Sequence, residues 1–182
     1  MAHDAPETVF LAEDEAGLYL QATTCYVWSP TGQTPLVRAD PGRTKTHFYG
    51  TLNLQTGQEI AMRSNLMNAE VSAQHLAMLL EANPEVPIVL FWDRAPWHRG
   101  KPIELVLAQN PRLEIIFFPT ASPDLNPQEH VWKAVRKAVR HNHLEAQLPE
   151  LANHFLHKLT SSTFKSSFLD KYGYNAICPM FN

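Results

Sequence analysis

A strand-length apolar run, Pro87-Ile88-Val89-Leu90-Phe91-Trp92, is closed abruptly by Asp93. Apolarity without alternation marks a strand covered on both faces, so helices must lie above and below its sheet. The rest of the chain supplies them. Val9 to Leu11 is a short apolar strand running into Glu13-Asp14-Glu15, and Gly17 to Trp28, rich in Tyr, Thr, Val and Trp, reads as a second strand. The cluster Ser29-Pro30-Thr31-Gly32-Gln33-Thr34-Pro35 is a turn. Lys45 to Leu54 and Gln58 to Met62 read as the arms of a hairpin. Asn68 is placed to cap a helix whose apolar face carries Val71, Leu76, Leu79 and Leu80, with Asn83-Pro84 closing it.

A short helix over Pro102 to Gln109 then precedes an apolar strand over Leu113 to Phe118. Pro127 suits the first turn of a helix running to about His143. Leu148 to Leu159 forms another helix, and Phe164 to Tyr172 a short last one. Strands first, then helix and strand in alternation, then helices: the order specifies an α/β fold, a mixed sheet flanked by helices.

The 182 residues suit one domain with a sizeable core. A net charge of -3 argues against tight nonspecific DNA binding by the whole surface, and leaves room for a local basic strip. No apolar stretch reaches the length of a membrane span, and the N-terminus lacks the pattern of a signal peptide. Two cysteines, Cys25 and Cys178, form no CxxC pair, which fits a reducing cytoplasm.

Asp93 closes a buried strand, a position where functional groups collect in open α/β sheets. Asp14 stands in the same relation to the first apolar run. The turn-rich run from Phe118 to Lys133 delivers Glu129 into the first turn of a helix. The 35 positions between Asp93 and Glu129 accommodate a helix, a strand and a return loop, so the acids can meet. Three clustered carboxylates resist full ionisation unless divalent cations neutralise them. Oxygen ligands of this kind select Mg²⁺ or Mn²⁺ over zinc, and two such ions suit phosphoryl transfer on nucleic acid. Taken singly, Asp14 reads equally as a turn or cap residue, and Glu129 as an acid favoured by the helix dipole.

Four segments carry a resemblance: Ala12-Glu13-Asp14-Glu15-Ala16; Tyr26-Val27-Trp28 with Gly32-Gln33-Thr34-Pro35; Leu90-Phe91-Trp92-Asp93-Arg94-Ala95-Pro96-Trp97-His98; and Ser122-Pro123-Asp124-Leu125-Asn126-Pro127-Gln128-Glu129-His130-Val131-Trp132-Lys133. In these, and in their order, the chain resembles the catalytic domain of DDE transposases of the mariner-like bacterial insertion-sequence superfamily. The resemblance implies a ribonuclease H-like fold, with a core over about 8–145 and a helical extension over about 146–182. It implies Asp14, Asp93 and Glu129 as catalytic and metal-binding triad, two Mg²⁺ or Mn²⁺ ions, and cleavage and strand transfer of DNA. TA dinucleotide targets and a homodimer in the DNA complex are implied as well.

Two departures stand out. Arg94 follows the second acid where the family commonly has Asn, and thirteen residues precede Asp14 where helix-turn-helix modules are usual. The expectation is a catalytic half that works with a separately encoded recognition portion. The alternatives are a catalytically silent remnant that binds DNA or partners, and a general metal-dependent nuclease.

Lys133, Arg136, Lys137 and Arg140 form a basic strip beside Glu129, suited to phosphate contacts or simply to solvation. Arg94 and His98 are further candidates for DNA contact, and His98 serves equally as a packing residue. His141, His143, His154 and His157 lack the spacing of a zinc module. Trp92, Trp97 and Trp132 read as core or site-wall residues.

Overall fold

The computed structural model describes residues 8–23, 26–36, 44–119, 125–141 and 143–164. Both cysteines, the Ser122-Pro123-Asp124 part of the last motif and nearly all of the expected final helix lie outside these residues. Five strands form one sheet: β1 (Val9–Tyr19), β2 (Lys45–Asn53), β3 (Glu59–Ser64), β4 (Ile88–Trp92) and β5 (Leu113–Phe117), in the order β3-β2-β1-β4-β5. β1, β2 and β3 are antiparallel neighbours, while β4 and β5 run parallel to β1. The mixed sheet expected from the sequence is therefore present.

Helices cover both faces, as the apolarity of β4 requires. On one face α1 (Ala69–Ala82) and α2 (Lys101–Gln109) pack Leu76, Leu79, Leu80 and Ile103 against Leu11, Ile88, Leu90 and Trp92. On the other, α3 (Gln128–Val135) and α4 (Leu148–Ser161) pack Val131, Trp132, Leu151 and Phe155 against Ala12, Ala16, Phe48 and Leu52. α4, in the helical extension expected from about residue 146, shares this core with α3. Among the described residues no helix is long and apolar enough to cross a membrane. α1 begins as read, with Asn68 Oδ1 accepting from the Val71 amide at 3.0 Å.

Three elements differ from expectation. β1 does not stop at Leu11; it runs through Glu13-Asp14-Glu15 to Tyr19, so Asp14 lies within a strand opposite Gly50. The stretch taken as a separate strand from Gly17 to Trp28 is instead the end of β1 followed by irregular chain, with an isolated bridge from Thr23 to His141. Tyr26 and Trp28 are fully exposed: β-forming residues make a strand only where a partner edge is available. The helix expected to reach His143 keeps α-geometry only to Val135, then winds as a π-turn over Arg136–Arg140. His141 leaves it in an extended conformation, its Nδ1 2.7 Å from Thr23 Oγ1.

The period of β1 decides the site. Ala12, Asp14, Ala16 and Leu18 face α3 and α4, whereas Leu11, Glu13 and Glu15 face the other way.

Candidate active site

Asp14 and Asp93 stand on neighbouring parallel strands. Ala12 pairs with Phe91, and each acid lies two residues beyond that pair. The pairing of β1 with β4 ends at Ala12 and Phe91, which sets Asp14 and Asp93 just past the same end of that pairing. Glu129 enters from above, in the first turn of α3. That turn is anchored locally: Asn126 Oδ1 accepts from the Gln128 amide at 3.1 Å. It is also anchored to the sheet, because the Gln128 side-chain amide donates to buried Glu59 on β3.

Trp132, one turn further along α3, donates its indole N–H to Asp14 Oδ2 at 3.1 Å. Gly50 makes this possible. A Cβ there would stand 2.5 Å from Gln128 Nε2 and from Glu59 Oε1, and would overlap the Trp132 ring. Gly50→Ala should therefore lower stability by about 1–3 kcal/mol by pushing α3 off the sheet. Denaturant melts of the two proteins check this, and an unchanged midpoint would refute the close approach.

Burial and the neighbouring charge of Glu129 push the Asp14 carboxyl up to about 7. Burial also holds Glu59 well above the usual carboxylate range. Asp93 behaves oppositely. Its hydrogen bond with His98 outweighs burial and, helped by the Ala95 amide, holds it below its ordinary value.

The sequence did not foresee what lies behind Asp93. His98, 3% exposed, presents Nδ1 to Asp93 Oδ1 at 2.7 Å and Nε2 to Glu15 Oε1 at 2.8 Å. Burial alone would lower its pKa; the bonds to Asp93 and Glu15 prevail and raise it to about 9, so the ring is an imidazolium near neutrality. It stacks on Trp92 with centroids 3.9 Å apart. The Trp97 indole donates to Glu15 Oε1 at 2.9 Å, and the Trp92 indole donates to Glu13. Glu13 is driven well above its usual range by burial first, and then by Glu15 and Asp14.

Glu13, Glu15 and His98 thus bring three ligand-capable atoms within 4.8 Å of one another. Hydrogen-bonding partners already fill that cluster: the Trp92 and Trp97 indole N–H groups and the His98 ring. Of the two readings the sequence left for His98, DNA contact or packing, the buried ring with both nitrogens engaged matches the second. Strand alternation was the available signal, because it separates Glu13 and Glu15 from Asp14.

The remaining predicted residues lie at the surface. Arg94 is exposed, its guanidinium 4.9 Å from the centroid of Phe117; no ion pair ties it to the acids among the described residues. Lys133 and Lys137 are exposed, whereas Arg136 and Arg140 are partly buried. Arg140 Nε donates to the Gln21 carbonyl at 3.3 Å, and burial followed by the charge of Arg136 lowers its pKa. Trp92 and Trp132 are fully buried, as core or site-wall residues should be.

Asp14, Asp93 and Glu129 offer hard oxygen donors only, which suits Mg²⁺ or Mn²⁺. Asp14 is an under-neutralised acid of the kind a cation relieves. On Asp93 both hydrogen bonds to the carboxylate fall on Oδ1, and none from the described residues reaches Oδ2. The donor set fits a divalent metal.

A five-stranded mixed sheet in the order β3-β2-β1-β4-β5 with helices on both faces is a ribonuclease H-like fold. Over residues 9–152 the sequence matches the profile of the DDE superfamily endonucleases, and the chain belongs to that family. It is 25% identical over 148 residues to the insertion element IS630 uncharacterized 39 kDa protein of Shigella sonnei, covering 79% of this chain and 43% of that protein. The chain therefore spans less than half of that relative. In structure it is similar to Mos1 transposase in a paired-end complex with the left transposon end (TM-score 0.65, 17% identity, 88% of this chain and 49% of that one). It is also similar to the mariner Mos1 paired-end complex with Mg (TM-score 0.65, 16% identity, 86% and 49%).

Proposed function

We propose that the chain is the catalytic domain of an insertion-sequence transposase, cleaving DNA strands at the element's ends and joining them to a target. The observation that supports this reading is the position of Asp14 and Asp93 two residues past the last β1–β4 pair, with Glu129 near enough to raise the pKa of Asp14. Asp14, Asp93 and Glu129 would hold two Mg²⁺ or Mn²⁺ ions. When bound, such ions activate an attacking oxygen and stabilise a leaving one.

The chain's own groups do the rest. Trp132 fixes the Asp14 carboxyl, and the Gln128–Glu59 link fixes the turn that carries Glu129. Lys133, Arg136, Lys137 and Arg140 form a basic strip along α3 and its π-turn, placed to contact backbone phosphates. Binding through them would weaken as salt rises. Arg94, on the exposed side of the second acid, is a further phosphate contact. The DNA partners in this reading are transposon ends and target, engaged by a homodimer. A helix-turn-helix portion supplies end recognition, and the protein acts at the bacterial nucleoid.

Nicking of supercoiled plasmid in Mn²⁺ tests the proposal. Wild type should nick, and EDTA or Asp93→Ala should abolish it. Absence of nicking even with a helix-turn-helix module fused upstream and paired ends supplied would sink the reading and leave a silent DNA-binding remnant. Cutting indifferent to the element's ends would identify a general nuclease instead.

A further inference from the structure

Resting on that metal-site reading, we infer that His98 and Glu15 form a positioning relay that orients the Asp93 carboxylate toward the metal. The geometry is specific. His98 Nδ1 and the Ala95 amide both reach Asp93 Oδ1, at 2.7 and 2.9 Å. Two donors on one oxygen fix the rotation of the carboxylate and leave Oδ2 as the ligand atom. His98 is fixed in turn: Trp92 lies flat against its ring, and Glu15 takes its Nε2. Glu15 is itself held by the Trp97 indole. None of these four side chains need touch the ion or the substrate.

Glu15 belongs to the device because it engages the far nitrogen of His98 and so fixes the rotation of the ring beside Asp93. Partners that orient a metal ligand through hydrogen bonds are worth about 10–100-fold in metal affinity.

The test must keep charge constant, because removing His98 alone would expose Glu15 as a competing ligand. His98→Leu with Glu15→Gln removes the ring and its carboxylate partner together, fills the space against Trp92, and leaves Asp93 without its side-chain partner. His98→Asn with Glu15→Gln has the same charge and returns an amide N–H near the place of Nδ1. Mn²⁺ binding to the full chain is measured by electron paramagnetic resonance, with circular dichroism to establish folding.

The Leu double variant should bind Mn²⁺ about 10–100-fold more weakly than wild type, and the Asn double variant should recover most of the loss. Wild-type affinity in a folded Leu variant, or equal loss in both, overturns the relay. If Asp93→Ala leaves Mn²⁺ affinity unchanged, the metal-site reading fails first and the relay with it. Should the Leu variant not fold, nitrogen NMR of wild-type His98 decides. With Mg²⁺ saturating, the hydrogen bond between His98 Nδ1 and Asp93 must persist; its loss on adding Mg²⁺ would make His98 a competitor of the metal and refute the proposal.

Discussion

Glu129→Gln should lose metal-dependent strand cleavage by about 10³-fold or more, equivalent to about 4 kcal/mol of transition-state stabilisation. The same change should make the metal-free protein harder to unfold. Glu129 is exposed, but its charge is the largest influence after burial on Asp14, whose carboxyl burial and this charge together raise to about 7. Taking the charge away eases ionisation of Asp14 in the folded state. The gain is about 0.5–1 kcal/mol at pH 8, since solvent screens a surface carboxylate. Plasmid nicking in Mg²⁺ and urea melts in EDTA measure the two halves. Undiminished cleavage would remove Glu129 from the site; a lower melting midpoint at pH 8 would show that it does not press on Asp14.

In EDTA, the free energy of unfolding should fall as pH rises from about 5 to 9. Asp14 has a folded pKa of about 7 against 3.8 for the free side chain. Between those values the folded state holds a proton that the unfolded chain releases, so raising pH favours unfolding. Three units correspond to about 4 kcal/mol as a ceiling. Glu13 and Glu59, also raised by burial, act in the same direction.

His98 continues the trend. Its folded pKa of about 9 exceeds 6.5, so its stabilisation is complete below about pH 6.5 and disappears as pH climbs through 9. Asp93 sets the acid side, because its depressed pKa gives stability above 3.8 that is lost as pH falls through the folded value. Mg²⁺ should reverse the alkaline loss at Asp14. It requires the ionised carboxylate and stabilises the state that binds it. Urea titrations at pH 5, 7 and 9, with EDTA or with Mg²⁺, decide the matter. A metal-free protein equally stable at pH 5 and pH 9 would contradict the burial assigned to these acids.

What was legible in the sequence was local. β4 announced itself because both its faces are covered, and α1 because Asn68 supplies its own cap. The hairpin of β2 and β3 followed from apolar patterning around a turn. Asp93 and Glu129 were found where such elements end or begin. β1 was harder, since three consecutive acids interrupt an apolar run and look like its end. They persist within a central strand because partners from β4, the 3₁₀ turn over Pro96–His98 and α3 reach them. Those partners are distant in sequence, and so the Trp92, Trp97 and His98 network behind Glu13 and Glu15 could not be read from spacing. Gly50 is similar: a lone glycine in a strand gave no hint that Trp132 lies across it. The departure of α3 into a π-turn also had no local cause in sequence.

β1 is paired on both sides, along Leu11 to Tyr19 with β2 and along Val9 to Ala12 with β4. Its alternation sends Asp14 toward α3 and Glu13 and Glu15 toward the tryptophans. Deleting a single codon between Leu11 and Asp14, with the pairing upstream held, would move every later side chain through the sheet to the opposite face. Asp14 would then be shut among indoles, and a glutamate would stand beside Glu129. Turns between strands can therefore lengthen or shorten without turning the site inside out, whereas this one strand cannot gain or lose a residue ahead of its acids.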